Sequence, residues 1–181
     1  MKSANQNVRK IISCSKVTED PIHAENTLEW LLKIDPFADH SLQIAALSHD
    51  IDRADDKRKV QRSDFIDYDA FKSAHAINGA KILEEILNKC NVADFITKEA
   101  CRLVTLHEVG GDPRSDLLKD ADSISFFDVN MPLYYEREGL EETRKRCIWG
   151  YKRLSAGMRK FVKGMRYENE TLNQLIKEIT L

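Results

Sequence analysis

The sequence predicts an all-α fold, and three observations carry that expectation. Apolar residues recur at helical spacing along most of the chain, while alternating strand patterns are nearly absent. Only 7 Gly and 4 Pro occur in 181 residues, too few turn formers for a many-stranded sandwich or barrel. Hydrophobic residues make up 42% and charged residues 32%, a balance that buries a core without disulfides or structural zinc. With no internal repeat, low-complexity tract or dividing linker, residues 1–181 read as a single domain.

The first clear helix start is Thr18-Glu19-Asp20-Pro21, where Thr18 or Asp20 can cap and Pro21 suits a first helical position. That helix runs through His23, Thr27, Trp30 and Ile34 and stops at Pro36. A second spans roughly 39–50, with Leu42, Ala45, Ala46 and His49 on one stripe. The stretch 52–69 is so dense in charge that it reads as a solvated loop with room for one helical turn. Helices follow near 70–89, 92–109 and 114–130, the last two parted by Gly110-Gly111-Asp112-Pro113. A long helix near 137–165 and a short one near 168–179 complete the pattern.

Several function classes are excluded at this level. Lys and Arg number 28 against 30 Asp and Glu, a net charge of −2, so the chain as a whole is not an electrostatic nucleic-acid binder. No stretch approaches the ~18 apolar residues of a membrane span, and residues 1–20 hold no signal-peptide core. Cys14, Cys90, Cys101 and Cys147 form no C-x-x-C pair, and the last three fall in apolar helical patterns as reduced core residues. A cytoplasmic location is the expectation. No phosphate loop, dinucleotide fingerprint or G-x-S-x-G elbow occurs. Gly110-Gly111 reads as a turn, and Ser48 has no base partner that would mark a nucleophile.

Four of the five histidines sit on apolar faces of separate predicted helices. His23 shares a stripe with Thr27, Trp30 and Ile34, and His49 follows Leu42, Ala45 and Ala46 with Asp50 beside it. His75 aligns with Gly79, Ile82 and Ile86, and His107 with Ala100, Leu103 and Val104. Asp122 lies on the stripe of Leu118, Phe126 and Val129, whereas His40, before a helix start, reads as a surface residue. Singly, each histidine has an ordinary explanation as a hydrogen-bonded core residue. Jointly, two carboxylates and four imidazoles pointing inward cost on the order of several kcal/mol if unpaired. A divalent cation satisfies them together, because it takes neutral imidazole and ionised carboxylate as ligands.

Order and spacing add to this. His23 to His49 is 26 residues, His49 to His75 again 26, His107 follows after 32 and Asp122 after a further 15. The helix ending in Ser48-His49-Asp50-Ile51, the helix beginning His75-Ala76 and the late Ala121-Asp122 together resemble the HD superfamily of metal-dependent phosphohydrolases, whose signature is H…HD…D. The resemblance covers residues 23 to about 130. It implies a compact HD-domain bundle of about six to eight helices, with a motif core over 18–130 and a C-terminal helical extension over 137–181. It further implies that His23, His49, Asp50 and Asp122 coordinate one metal. His75 and His107 resemble the two extra histidines of subfamilies that hold a second metal, with Asp50 bridging, or that contact substrate phosphate instead. The implied cofactor is one or two divalent transition metals from among Mn, Fe, Co, Ni and Zn. Asp122 rather than Asp120 matches the motif, and Asp120 reads as an exposed helix residue, with orientation of a ligand as its alternative. Many relatives follow H-D-I with Gly; here Asp52 and Arg53 stand next.

The resemblance implies hydrolysis of a phosphate ester or nucleotide, a small phosphorylated substrate rather than nucleic acid. A bound cation lowers the pKa of coordinated water from ~15.7 towards ~7, giving hydroxide at neutral pH, and polarises the phosphoryl oxygen. Asp50 can bind metal and accept a proton, and Arg53 follows closely enough to reach a phosphate. Lys57 and Arg58 read equally well as partners in salt bridges of a charged loop. Two alternatives stand: a di-iron oxygenase using all six positions, and a metal- or ligand-binding module without turnover.

The segment 137–166 holds ten basic and three acidic residues, a net of +7 that leaves −9 for the remainder. It reads either as a solvated basic face or as the source of one or two arginines, with Arg144, Arg153 and Arg159 the ones singled out, that reach over the metal cleft and clamp phosphate. Phe126 and Phe127 read as core; Tyr134 and Tyr135 complete an aromatic set able to stack on a base.

Overall fold

The computed structural model describes residues 2–181, and among them every regular element is helical. The α-helices are α1 (Lys2–Ile12), α2 (Asp20–Ile34), α3 (His40–Ser48), α4 (Tyr68–Lys89), α5 (Asp94–Leu106), α6 (Pro113–Ser125), α7 (Met131–Arg153), α8 (Ala156–Gly164) and α9 (Glu170–Ile179). A π-turn over Phe126–Asn130 joins α6 to α7, so the two run on as one helical path. No helix of the described residues is long and apolar enough to cross a membrane.

Local chemistry fixes most boundaries. Asp39 accepts the Leu42 N–H at 3.1 Å to cap α3, and Asp67 accepts the Ala70 N–H at 2.8 Å to cap α4. Asp112 and Ser115 form a capping box at the start of α6, with Pro113 in its first turn. Gly110 and Gly111 adopt positive φ, 71° and 123°, which makes them the turn that separates α5 from α6. The charged stretch 52–69 is the expected loop, tightened by two short 3-10 turns at Ile51–Ala54 and Arg62–Asp64.

Two expectations need correction. The chain before residue 18 contains α1, whose Ala4, Val8 and Ile12 recur once per turn and are buried in the core. The helix foreseen over 137–165 is interrupted twice. Gly139 takes a non-helical φ of 77°, and α7 ends at Arg153, after which Leu154 adopts an extended ψ of 138° before α8 begins. Neither break has a proline to announce it.

Burial is organised in two clusters that meet along α6. Leu118 and Ala121 close a core built from α1 to α5, whereas Ile124 belongs to a second core with Phe127, Met131, Cys147, Val162 and Leu175. Trp30 packs against both. The cysteines are free; burial pushes the thiols of Cys101 and Cys147 up to about 11 and about 12. The seam between the cores, where α2, α3 and α6 face one another, is where the histidines converge.

Candidate metal centre

Each ligand candidate is delivered by a different helix or helix end. His23 lies on the first turn of α2, and His49 and Asp50 directly follow α3. His75 lies within α4, His107 directly follows α5, and Asp122 lies on α6. His23, His49, His75, His107 and Asp122 are each at most 4% exposed, and Asp50 is half-buried. The sequence assigned these six residues to one centre, and the fold brings all six together. His40 is exposed, as expected.

The closest set is His23, His49 and Asp122. His23 Nε2 lies 3.1 Å from Asp122 Oδ1 and 3.1 Å from His49 Nε2, and His49 Nε2 lies 3.6 Å from Asp122 Oδ1. Asp50 Oδ2 stands 3.9 Å from His23 Nε2 and 3.7 Å from His49 Nε2. Its Oδ1 is 2.8 Å from His75 Nε2, so Asp50 links the first set to a second made of Asp50, His75 and His107. The His107 ring centroid is 5.3 Å from that of His49 and 5.7 Å from that of His75.

The far side of each ring tells which nitrogen is free. His49 Nδ1 faces the Ala46 carbonyl at 2.9 Å and His107 Nδ1 the Val104 carbonyl at 2.7 Å; carbonyls only accept, so both Nδ1 atoms carry the proton. Ser125 Oγ donates to the His23 carbonyl at 3.3 Å and therefore accepts from His23 Nδ1 at 2.8 Å. His75 Nδ1 meets Asp52 Oδ1 at 2.5 Å. In neutral His23 and His49 the Nε2 lone pairs thus face each other across 3.1 Å, which is repulsive unless a cation lies between them. His107 Nε2 is buried and makes no well-aligned hydrogen bond, although Glu108 Oε1 stands 3.1 Å away. Imidazole and carboxylate donors so arranged fit a divalent transition metal, and each of the two triads keeps its ligand atoms within 4.8 Å of one another.

Electrostatics agree with that donor chemistry. Burial pushes His49 down to about 4, against the pull of Asp50 and Asp122, so its imidazole is neutral. Burial works against ionising Asp50 and Asp122 as well, yet neighbouring cations prevail. Arg53 and the protonated His75 hold Asp50, and Arg153 holds Asp122, well below the usual carboxylate range. His75 goes the other way: burial opposes its charge, but hydrogen bonds to Asp50 and Asp52 raise it to about 9.

Several residues gained a role that the sequence did not assign. Asp52, noted only as a departure from the motif, is fully buried and orients His75. Arg53 bonds Asp50 Oδ2 at 2.8 Å and Asp20 Oδ1 at 2.9 Å, so it anchors the Asp50 carboxylate while lining the adjoining cleft. Glu108, next to His107, is buried between Lys72 and Arg153. Asp120 is not exposed but buried, accepting the Ser155 N–H at 2.8 Å. Lys57 is exposed and Arg58 pairs with Glu85 at 2.7 Å, both away from the ligands.

The basic segment divides. Arg144 pairs with Glu178, and Arg159 Nη2 donates to the Lys152 carbonyl at 3.3 Å. Arg153, its side chain 9% exposed, lies against Asp122 itself, at 3.1 Å from Oδ2. The two that line the cleft beside His75 are Arg137 and Arg146. That cleft has a cavity volume of about 230 Å3 and includes Tyr68, Tyr134 and Lys72 in its walls. Phe126 and Phe127 are buried, as expected.

Residues 2–176 match a family described as a domain of unknown function, DUF4202. No curated protein and no solved structure matches the chain.

Proposed function

The chain belongs to the DUF4202 family, and we propose that it is a metal-dependent phosphohydrolase of the HD type acting on a nucleotide or another small phosphate ester. One observation carries the reading: His23 Nε2, His49 Nε2 and Asp122 Oδ1 converge within 3.6 Å of one another, buried and with their lone pairs turned inward. When bound there, a divalent cation supplies Lewis acidity towards a phosphoryl oxygen and an acidified water.

The chain's own groups do the rest. Ser125, the Ala46 carbonyl and the Val104 carbonyl fix the tautomers of His23, His49 and His107. Asp50, held ionised by Arg53, has an oxygen beside both sets of ligands and is placed to bridge them or to accept a proton from attacking water. Arg53, on the cleft wall, meets the substrate's phosphate. Asp50, His75 and His107 offer a site for a second ion, with Asp52 holding the His75 ring.

Elemental analysis of the purified protein, combined with phosphate release from nucleotides and para-nitrophenyl phosphate, tests this. The expected result is a bound divalent transition metal and product release that a chelator abolishes and Mn, Co or Zn restores. Metal without release from any substrate would leave a binding module. Oxygen consumption by iron-loaded protein would point to the oxygenase instead.

A further inference from the structure

The cleft beside His75 is walled by cations, and nearly all of them have a carboxylate partner. Arg53 is paired with Asp50 and Asp20, Lys72 with Glu108, Arg137 with Glu19, and Lys59 with Asp56. Arg146 is the exception among the described residues that line it. It has no ion-pair partner, and its Nη1 is buried without an acceptor. A guanidinium left partly desolvated and uncompensated is costly, so the fold holds it for a reason other than a salt bridge.

What holds it is aromatic. The guanidinium carbon lies 4.5 Å from the ring centroids of both Phe126 and Trp149. Cation–π contact fixes the plane of the guanidinium while leaving the edge that lines the cleft able to bond a phosphate. Tyr68, Tyr134 and Arg146 also line an adjoining groove that reaches Trp149. Flat apolar ring faces therefore stand next to the uncompensated cation, in a cleft that opens beside the ligand His75.

We propose that Arg146 is a specificity-determining clamp for the substrate's anionic group, and that the substrate is a phosphate monoester carrying a flat aromatic ring, such as a nucleoside monophosphate. The clamp takes the phosphate at the end of the cleft next to His75. The ring stacks along Tyr68, Tyr134 and Trp149. The chemistry of the bound ester rests on the phosphohydrolase reading; the binding does not.

Calorimetry on the full chain kept in chelator, where no turnover occurs, separates the two. The probes are adenosine monophosphate, ribose 5-phosphate and adenosine, titrated into wild type, Arg146→Met and Arg146→Lys, with helical signal and metal uptake compared as folding controls. Wild type is expected to bind adenosine monophosphate at least tenfold more tightly than ribose 5-phosphate. Arg146→Met should weaken both phosphates by about tenfold to a hundredfold and leave adenosine unchanged, and Arg146→Lys should recover part of the loss. Equal affinities in wild type and Arg146→Met, no preference for the aromatic ester, or no binding of either phosphate would overturn the proposal. If the binding pattern holds and metal-loaded protein releases no phosphate, the clamp stands and the hydrolase reading falls. If esters are hydrolysed with a KM indifferent to Arg146→Met, the hydrolase reading stands and the clamp falls.

Discussion

Arg153 Nη2 lies 3.1 Å from Asp122 Oδ2, while the other oxygen of that carboxylate faces the His23 and His49 imidazoles. The same guanidinium nitrogen reaches Glu108 Oε2 at 3.1 Å and the His107 carbonyl at 2.9 Å. Two residues further on, the Ser155 N–H is held by Asp120 at 2.8 Å. Both acids of the Asp120–Asp122 pair on α6 therefore grip the junction between α7 and α8. The C-terminal helices are part of the site, not an appendage to it.

Arg153→Met should then act on metal binding and on stability together. Removing a group that holds a ligand costs about tenfold to a hundredfold in metal affinity. Leaving Asp122 and Glu108 buried without that partner costs about 3–5 kcal/mol. Competitive metal titration and urea denaturation read the two effects, and a variant matching wild type in both would refute the coupling.

His49→Ala and Asp50→Ala should each lose bound metal while keeping most of the helical signal, since His49 is the C-cap residue of α3 and Asp50 follows it, so neither lies inside an α-helix. Added metal should raise the Tm of wild type but not of either variant, because a ligand bound only by the native state stabilises it by mass action. Full metal content in both variants would sink the ligand assignment.

For chelator-stripped protein the pH dependence follows from two imidazoles shifted in opposite directions. His49 has its pKa depressed from 6.5 to about 4, so its contribution is complete above 6.5 and is lost as pH falls towards 4. His75 is raised from 6.5 to about 9, so its contribution is complete below 6.5 and is lost as pH rises towards 9. Each shift corresponds to about 3 kcal/mol. Tm should peak near pH 6.5 and fall on either side, by about 2–4 °C per kcal/mol lost. His75→Gln should flatten the alkaline limb. A Tm that climbs steadily to pH 9 would contradict the assignment.

The candidate ligand set was legible because every member but Asp50, which adjoins His49, sits on an apolar stripe, where a polar group is conspicuous, and because the intervals between them match whole helices plus turns. What surrounds the ligands was not legible, for a physical reason. Asp52, Glu108 and Arg153 are charged residues in charged sequence contexts, and only their burial distinguishes them from solvated neighbours. Trp149 and Arg146 stand three residues apart on one face of α7, a signal that helical spacing does carry, though the net charge of the segment drew attention to its cations as a group. The helix α1 was missed although Ala4, Val8 and Ile12 mark it, because apart from these and Ile11 its residues are polar and it is held by packing on α2, α3, α4 and the 3-10 turn at Ile51–Ala54. The break at Leu154–Ser155 has no glycine or proline; tertiary hydrogen bonding to Asp120 fixes it.

Gly79 offers a last test of how tightly α4 is set against the ligand loop. The sequence suggests that its missing side chain lets a neighbour approach, and the neighbour is the His49 backbone itself. A methyl group added at Gly79 would sit 3.5 Å from the His49 carbonyl oxygen, 3.6 Å from Val104 Cγ1 and 3.9 Å from Ile51 Cγ2. These are ordinary contacts, so Gly79→Ala fits without displacement and gains helix propensity, about 0.5–1 kcal/mol. Gly79→Leu adds three more carbons where none fit; overpacking should cost about 1–3 kcal/mol and push the His49–Asp50 backbone away from its partners. Urea midpoints and metal content should therefore diverge between the two variants, the alanine protein at or above wild type in both and the leucine protein below it. An alanine variant that loses metal would mean that α4 and the ligand loop approach more closely than these distances allow.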